Sequence, residues 1–228
     1  MIEEPPLLTI ASRIERPDAS LVEQFRDAPT SFVVDAMGGA GALDWHIKPI
    51  IGTSLLGVAL TCDCGPSDNL ALNAAIAQCQ PGDVLVVATG GFAGAAVVGD
   101  LLLGIARNRG AVGFVTDGLV RDIVDLEALK FPVYAMGVCP NSPGKRGPGS
   151  VGLPVVCGGR LVASGDIIVG DRDGVVSIPR ARIAETLANL QKVRSAEAAM
   201  LERVRGGLKE VPFAANLLAG DRIRRVES

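Results

Sequence analysis

Apolar and polar positions along this 228-residue chain switch between a helical and a strand-like period, and the switches outline its elements. Residues 17–28 and 31–38 read as two short N-terminal helices, the second stopped by Gly38-Gly39 and open to capping by Thr30 or Ser31. Residues 54–62 alternate and then run apolar, as a strand does, and residues 67–79 have helical spacing with Ser67 placed as a cap. Val84-Leu85-Val86-Val87 has the uniformly apolar character of a strand buried on both faces, opened by Pro81-Gly82-Asp83 and followed by glycine-rich residues 89–94. A helix is predicted from Val98 to Asn108, a strand from Ala111 to Thr116, a turn at Asp117-Gly118, a short helix over residues 123–129 and a strand over residues 133–136.

This succession predicts an α/β fold with parallel neighbours. Pro140, Pro143, Pro148 and Pro154, interleaved with glycines, predict a long irregular crossover over residues 139–154. Four short strands follow, near residues 154–157, 160–163, 166–169 and 174–178, as an antiparallel portion ended by Pro179. From Arg180 to Arg205, Ile183, Leu187, Leu190, Val193, Met200, Leu201 and Val204 recur at helical spacing, giving one long amphipathic helix that Gly206-Gly207 terminates. The chain reads as a single domain, residues 1–228, with residues 180–228 as a C-terminal helical extension.

Composition narrows the chemistry. With 48% apolar residues the chain can bury a substantial core, and no apolar run reaches the roughly 18 residues of a membrane span. Met1-Ile2-Glu3-Glu4-Pro5-Pro6 lacks the basic start of a signal peptide, so a soluble cytoplasmic protein without a membrane partner is expected. A net charge of −3, with one Trp, one Tyr and six Phe, gives neither a phosphate-neutralising surface nor a stacking platform, and nucleic acid is not an expected ligand. The five cysteines, Cys62, Cys64, Cys79, Cys139 and Cys157, contain no CxxC pair and read as reduced thiols.

Residue counts also remove several mechanisms. A Ser-His-Asp triad would require the single histidine, His46, which reads as a structural loop residue, and no GxSxG elbow is present to supply its serine, so a triad is disfavoured. A multi-imidazole zinc site is likewise impossible within one chain, so a metal here would take oxygen ligands, favouring Mg2+ or Mn2+. The five lysines, Lys48, Lys130, Lys145, Lys192 and Lys209, fall at loops, element ends or a polar helix face, which disfavours a Schiff base. Gly90, Gly91 and Gly94 do not give the dinucleotide spacing GxGxxG.

Two pairs remain: Gly99-Asp100 at a helix start and, after twenty residues, Arg121-Asp122 at the next strand-to-helix turn. Both are expected at one sheet edge, where open α/β sheets bind ligands and where the amides near Leu101 and Leu102 can hold a carboxylate. Arginine beside a carboxylate offers a fork for an anion and an oxygen for a hard cation. On spacing alone, however, helix-dipole stabilisation and a surface ion pair account for the same residues.

At these positions the sequence resembles the RraA-like superfamily, in its branch of 4-hydroxy-4-methyl-2-oxoglutarate / 4-carboxy-4-hydroxy-2-oxoadipate aldolases. The resemblance runs from about Ser31 to Gly207. It is carried by Asp35-Ala36-Met37-Gly38-Gly39, residues 82–87, Gly99-Asp100-Leu101-Leu102, Arg121-Asp122, Lys145-Arg146-Gly147 and Gly165-Asp166. It implies a ββα sandwich related to swivelling domains, assembled as a homotrimer or homohexamer with sites between subunits. It implies a class II pyruvate aldolase with oxaloacetate decarboxylase side activity; the alternatives are a non-catalytic RNase E regulator, a type that resembles the core in a shorter form, and a lyase of the same scaffold acting on another 2-oxo acid. By the same resemblance Asp122 holds Mg2+ or Mn2+, Arg121 binds the 2-keto oxygen, and the amides of Leu101 and Leu102 grip the pyruvyl carboxylate beside Gly99. Asp100 orients a water, and Glu197 reaches in from a neighbouring subunit. The distal contacts that would choose the substrate, in the loop around Lys145 and Arg146, stay unassigned, and a solvated basic turn is the simpler reading of that pair.

Overall fold

A computed structural model describes residue 4 and residues 6–226. The reading of Met1-Ile2-Glu3 and Pro5 therefore lies outside the described residues. In chain order the elements are β1 (Leu8–Ile10), α1 (Ala19–Glu23), α2 (Thr30–Ala36), β2 (Lys48–Ile51), β3 (Leu55–Asp63), α3 (Leu70–Gln78) and β4 (Asp83–Ala88). Then come β5 (Ala96–Val98), α4 (Asp100–Asn108), β6 (Gly113–Thr116), β7 (Leu119–Val120), α5 (Ile123–Leu129), β8 (Val133–Ala135) and β9 (Gly137–Val138). The C-terminal part holds β10 (Gly149–Val151), β11 (Val155–Cys157), β12 (Arg160–Val162), β13 (Ile167–Gly170), β14 (Val175–Ile178), a 3-10 turn (Arg180–Arg182), α6 (Ile183–Arg205) and α7 (Ala214–Ala219).

The apolar runs recognised in the sequence form the centre of a nine-stranded sheet, in which β3, β4, β6 and β8 are parallel neighbours. β2 closes one edge antiparallel to β8. β3 is long enough to take two antiparallel partners in succession on its other side, β13 over residues 55–58 and β10 over residues 62–63. Alternation divides the sheet's side chains between two cores. Leu60, Leu85, Val87 and Phe114 meet Leu72 and Ile76 of α3, Leu103 of α4 and Leu126 of α5. Ala59, Val84, Val86 and Val115 face the β11–β12 hairpin through Val155, Cys157 and Val162. A third cluster joins β13 and β14 to α2 and the first half of α6 through Ile167, Val169, Val33, Leu187 and Leu190.

Three connections depart from the sequence reading in a way that matters for the site. β5, β7 and β9 form a small parallel sheet of their own, in that order. Each follows a strand of the main sheet, so β4, β6 and β8 each run into a second, shorter strand before the chain turns back. Val98 thus ends a strand, and the predicted helix begins only at Asp100. Buried Asp117 ties two of these connections together by accepting the Thr89 amide at 2.7 Å and the Thr89 hydroxyl at 3.1 Å.

Other differences have local causes. The first predicted helix shrinks to Ala19–Glu23, and Asp27 takes a positive φ that ends any continuation. Ser67 does not cap α3: its φ is +57°, Asn69 occupies the N-cap position, and Asp68 accepts the Leu70 amide instead. Neither Thr30 nor Ser31 caps α2; the remote Asp171 accepts both the Thr30 amide and its hydroxyl at 2.8 Å. The crossover over residues 139–154 is not irregular throughout, because its residues 149–151 are β10. The two Gly-Asp motifs away from the cleft are structural. Asp83 is fully buried and bridged twice by Arg16 at 2.8 Å, which pins the N-terminal segment, and Asp166 accepts the amides of Ala163 and Arg180 at 3.0 Å.

Candidate active site

The small sheet delivers three chain segments to one place. Beyond β5 come Gly99 and Asp100, beyond β7 come Arg121 and Asp122, and beyond β9 come Asn141 and Ser142. The ladder continues past the strand ends: the Arg121 amide donates to the Val98 carbonyl at 3.1 Å, and the Cys139 amide donates to the Val120 carbonyl at 2.9 Å. Neighbouring segments are therefore held side by side by backbone bonds.

Around these ends lies a cleft of about 500 Å3. Gly99, Asp100, Leu101, Leu102, Arg121 and Asp122 all line it, so the two sequence pairs do converge. Asn69, Ile105, Ser142 and Lys145 complete much of the wall. Ser142 and Asn69 carried no signal in the sequence, because the first sits in a proline-flanked segment and the second reads as part of a helix start. Lys145 belonged to a recognised motif without an assigned role.

Helix α4 begins at the cleft with an N-cap that cannot cap. Gly99 has no side chain, so nothing is hydrogen-bonded from the cap to the first turn. The Leu103 amide reaches the Gly99 carbonyl at 3.3 Å, which leaves the amides of residues 100–102 without intrahelical acceptors. These donors, with the helix dipole behind them, suit a carboxylate.

Asp122 occupies the corresponding position of α5 and also declines to cap. Its backbone is left-handed, φ 62° and ψ 46°, and its carboxylate makes no capping hydrogen bond. That conformation costs a non-glycine residue on the order of 1 kcal/mol, less for aspartate than for most. It turns the carboxylate across to Arg121, whose Nε donates to Oδ2 at 3.1 Å, and toward Gly99. A Cβ at residue 99 would overlap Oδ2 and lie 3.1 Å from the Asp122 Cγ. Glycine at 99 is therefore required by the neighbouring carboxylate and not by its own backbone, which is extended.

Arg121 is fixed at its other end, where Nη1 donates to the Ser142 hydroxyl. The side chains of Arg121 and Asp122 are 35% and 34% exposed, so both reach solvent within the cleft. An Asp that caps nothing and an Arg held from two sides differ from the surface ion pair that spacing alone allowed.

The donors at the cleft suit a divalent cation of one kind only. Among the described residues no group of three or more His, Cys, Asp or Glu is placed to hold a metal. Asp122, which lines the cleft, accepts one side-chain hydrogen bond there, at Oδ2, so its other oxygen is not taken up by a side-chain donor. A single accessible carboxylate fits a hard cation that keeps most of its water, as Mg2+ does, and does not fit a closed structural site. Glu197 is not at this cleft: it is exposed on the distal half of α6. His46 is an exposed loop residue paired with Asp44 at 2.7 Å, as its sequence context suggested.

Against known proteins, the sequence model of the RraA-like family, described as Aldolase/RraA, matches residues 30–177. A protein of Halalkalibacterium halodurans named "Putative 4-hydroxy-4-methyl-2-oxoglutarate aldolase" is 38% identical over 176 residues, 77% of this chain and 84% of its own length. An uncharacterized protein from Pseudomonas syringae pv. tomato superposes with a TM-score of 0.75 at 26% identity, covering 86% of this chain and 96% of that one. The RNA-processing inhibitor RraA from Thermus thermophilis superposes with a TM-score of 0.62 at 28% identity, covering 67% of this chain and 93% of its own. The α/β sandwich and the match over residues 30–177 make this chain a member of the RraA-like, Aldolase/RraA family.

Proposed function

We propose that the cleft cleaves 4-hydroxy-2-oxo diacids, such as 4-hydroxy-4-methyl-2-oxoglutarate or 4-carboxy-4-hydroxy-2-oxoadipate, to pyruvate and an oxo acid. The protein would then be a divalent-metal-dependent class II aldolase with oxaloacetate decarboxylation as a side activity. The single observation carrying this reading is the meeting of Arg121 and the non-capping Asp122 with the free amides of the α4 N-terminus in one cleft. The aldolase name of the Halalkalibacterium halodurans relative supports it.

In this reading the amides of Leu101 and Leu102 hold the pyruvyl carboxylate, and Arg121 donates to the C2 oxygen. Asp122 would hold Mg2+ or Mn2+, which when bound supplies Lewis acidity at the keto group. The C3–C4 bond breaks with its electron pair retained on C3 and delocalised onto the C2 oxygen, where the Arg121 guanidinium offsets the charge. A preorganised donor of this kind lowers the barrier by about 3 kcal/mol. The C4 hydroxyl loses its proton as C4 becomes a carbonyl, and Asp100, at the cleft wall, accepts it through water. C3 is then reprotonated to give pyruvate. Exposed Leu101 and Val138 near the small sheet, with Val124 on α5, support assembly into a trimer or hexamer. In such an assembly Glu197 of one copy would serve the cleft of another.

A second reading, a regulator of RNA processing without catalysis, is favoured by the likeness to the Thermus inhibitor. The Thermus protein leaves a third of this chain without a counterpart, but a Streptomyces coelicolor member of the RNase ES inhibitor RraA family covers 82% of this chain with a TM-score of 0.74, so chain length does not decide between the two readings. The deciding experiment is pyruvate release from keto diacids and oxaloacetate, coupled to lactate dehydrogenase, with Mg2+ or chelator and with Asp122→Asn. Metal-dependent turnover lost in the variant is expected. Turnover that survives chelation, or an imine trapped on Lys145 by borohydride, would refute the mechanism. Absence of turnover on every diacid, with tight binding to an RNA-degradation protein, would select the regulator.

A further inference from the structure

One charged cleft residue has no task in the cleavage chemistry above. Lys145 lines the cleft, is exposed, and forms no ion pair among the described residues. A solvated basic turn would need no anchoring, yet the backbone on both sides of Lys145 is fastened. On one side, the Gly144 amide donates to the Ser67 carbonyl at 2.7 Å and the Gly144 carbonyl accepts the Asn69 amide at 3.1 Å. On the other, the Arg146 amide donates to Asp68 Oδ2 at 2.5 Å. Asp68 is itself buried, and its Oδ1 accepts the Leu70 amide at 2.8 Å, so the clamp is continuous with the start of α3. Burial pushes the Asp68 carboxyl upward, but the amides of Arg146, Leu70 and Gly147 outweigh it and hold the group below the usual aspartate value. The clamp is therefore charged at neutral pH, and Lys145 is presented to the cleft by a built loop.

The substrate class has a matching need. A 4-hydroxy-2-oxo diacid carries two carboxylates, and the amides of α4 provide for only one. Arg121 bonds Asp122 and Ser142 and, in the aldolase reading, turns its remaining donor to the C2 oxygen, and the other charged wall residues, Asp100 and Asp122, repel an anion. The geometry points to Lys145 as the group that receives the second carboxylate and thereby sets selectivity for diacids over monoacids. This inference rests on the aldolase reading and extends it from the pyruvyl half of the substrate to the distal half.

The test compares kcat/KM for a 4-hydroxy-2-oxo diacid and for the corresponding monoacid, with methyl in place of the distal carboxylate, in the wild-type protein, Lys145→Met and Lys145→Arg. Exchange of pyruvate C3 protons with solvent in the wild type reports separately on the pyruvyl half. Wild-type protein is expected to prefer the diacid. The methionine variant should lose about tenfold of that preference, mainly through a higher diacid KM, the size expected for a charge-assisted hydrogen bond in an open cleft. The arginine variant should keep most of it. An undiminished preference in Lys145→Met would overturn this inference and leave the aldolase reading standing. Equal loss on both substrates would also overturn it, by moving Lys145 to the pyruvyl half. Wild-type protein without either aldol cleavage or proton exchange would overturn both.

Discussion

Replacing Gly99 with alanine adds one methyl group, and the structure states what that methyl would meet. The backbone at 99 is extended, φ −130° and ψ −170°, so alanine is conformationally allowed there. At the helix N-cap, where glycine is preferred over alanine, the exchange costs on the order of 1 kcal/mol, which for a domain of this size lowers Tm by roughly 2–4 °C. The new Cβ, however, overlaps the Asp122 Oδ2 and lies 3.2 Å from the Arg121 Cγ. Relieving the overlap requires the carboxylate to move by about 1 Å, and a displacement of that size at reacting groups costs about a hundredfold in rate. Gly99→Ala should therefore remain folded yet lose about two orders of magnitude in kcat/KM, equivalent to about 2.7 kcal/mol. Pyruvate release assayed beside a thermal melt separates the two effects. Near-normal turnover, or a loss of activity that only tracks a loss of folded protein, would refute the claim that residue 99 is small on behalf of Asp122.

Two further predictions concern the scaffold. Asp83→Asn, which breaks the bidentate bridge from Arg16 to a fully buried carboxylate, should destabilise the protein by about 3 kcal/mol in denaturant unfolding. A change below about 1 kcal/mol would show that the N-terminal segment is held by other contacts. Asp171, pushed up by burial but pulled below its ordinary value of 3.8 by hydrogen bonds from Thr30, Asp173 and Gly174, titrates lower folded than unfolded. Its contribution is thus fully present above about pH 4 and lost as pH falls through the depressed value. Melts from pH 6 to pH 2 should show a smaller acid-induced drop in Asp171→Asn than in the wild type, and identical slopes would contradict the assignment.

How far the sequence reached follows from what each signal depends on. The long apolar runs of β3 and β4 and the helical spacing of α4, α5 and α6 are properties of contiguous residues, and they were legible. β7 and β9 are two residues each and β5 is three, too short for any periodicity to register. Their existence depends on pairing with one another, so the small sheet that assembles the cleft could not be read. β10 was hidden among prolines and glycines because its partners, β1 on one side and Cys62 and Asp63 of β3 on the other, lie far back along the chain. The convergence of Gly99-Asp100 with Arg121-Asp122 was anticipated, since successive strand-to-helix turns share an edge. That Asp122 adopts a left-handed backbone and caps nothing was not, and this detail is what distinguishes it from an ordinary helix-start aspartate. Lys145 looked solvated because the clamp that holds its loop involves Asp68, far away in sequence.

The most direct trial of the central claim is a Mn2+ titration followed by electron paramagnetic resonance, on the wild-type protein and on Asp122→Asn, with and without pyruvate. Binding of one Mn2+ per chain, a spectrum altered by pyruvate, and loss of both in the variant are the predicted results. Mn2+ that binds equally well without the Asp122 carboxylate, or whose spectrum ignores pyruvate, would contradict a cation site beside Arg121 and the α4 amides.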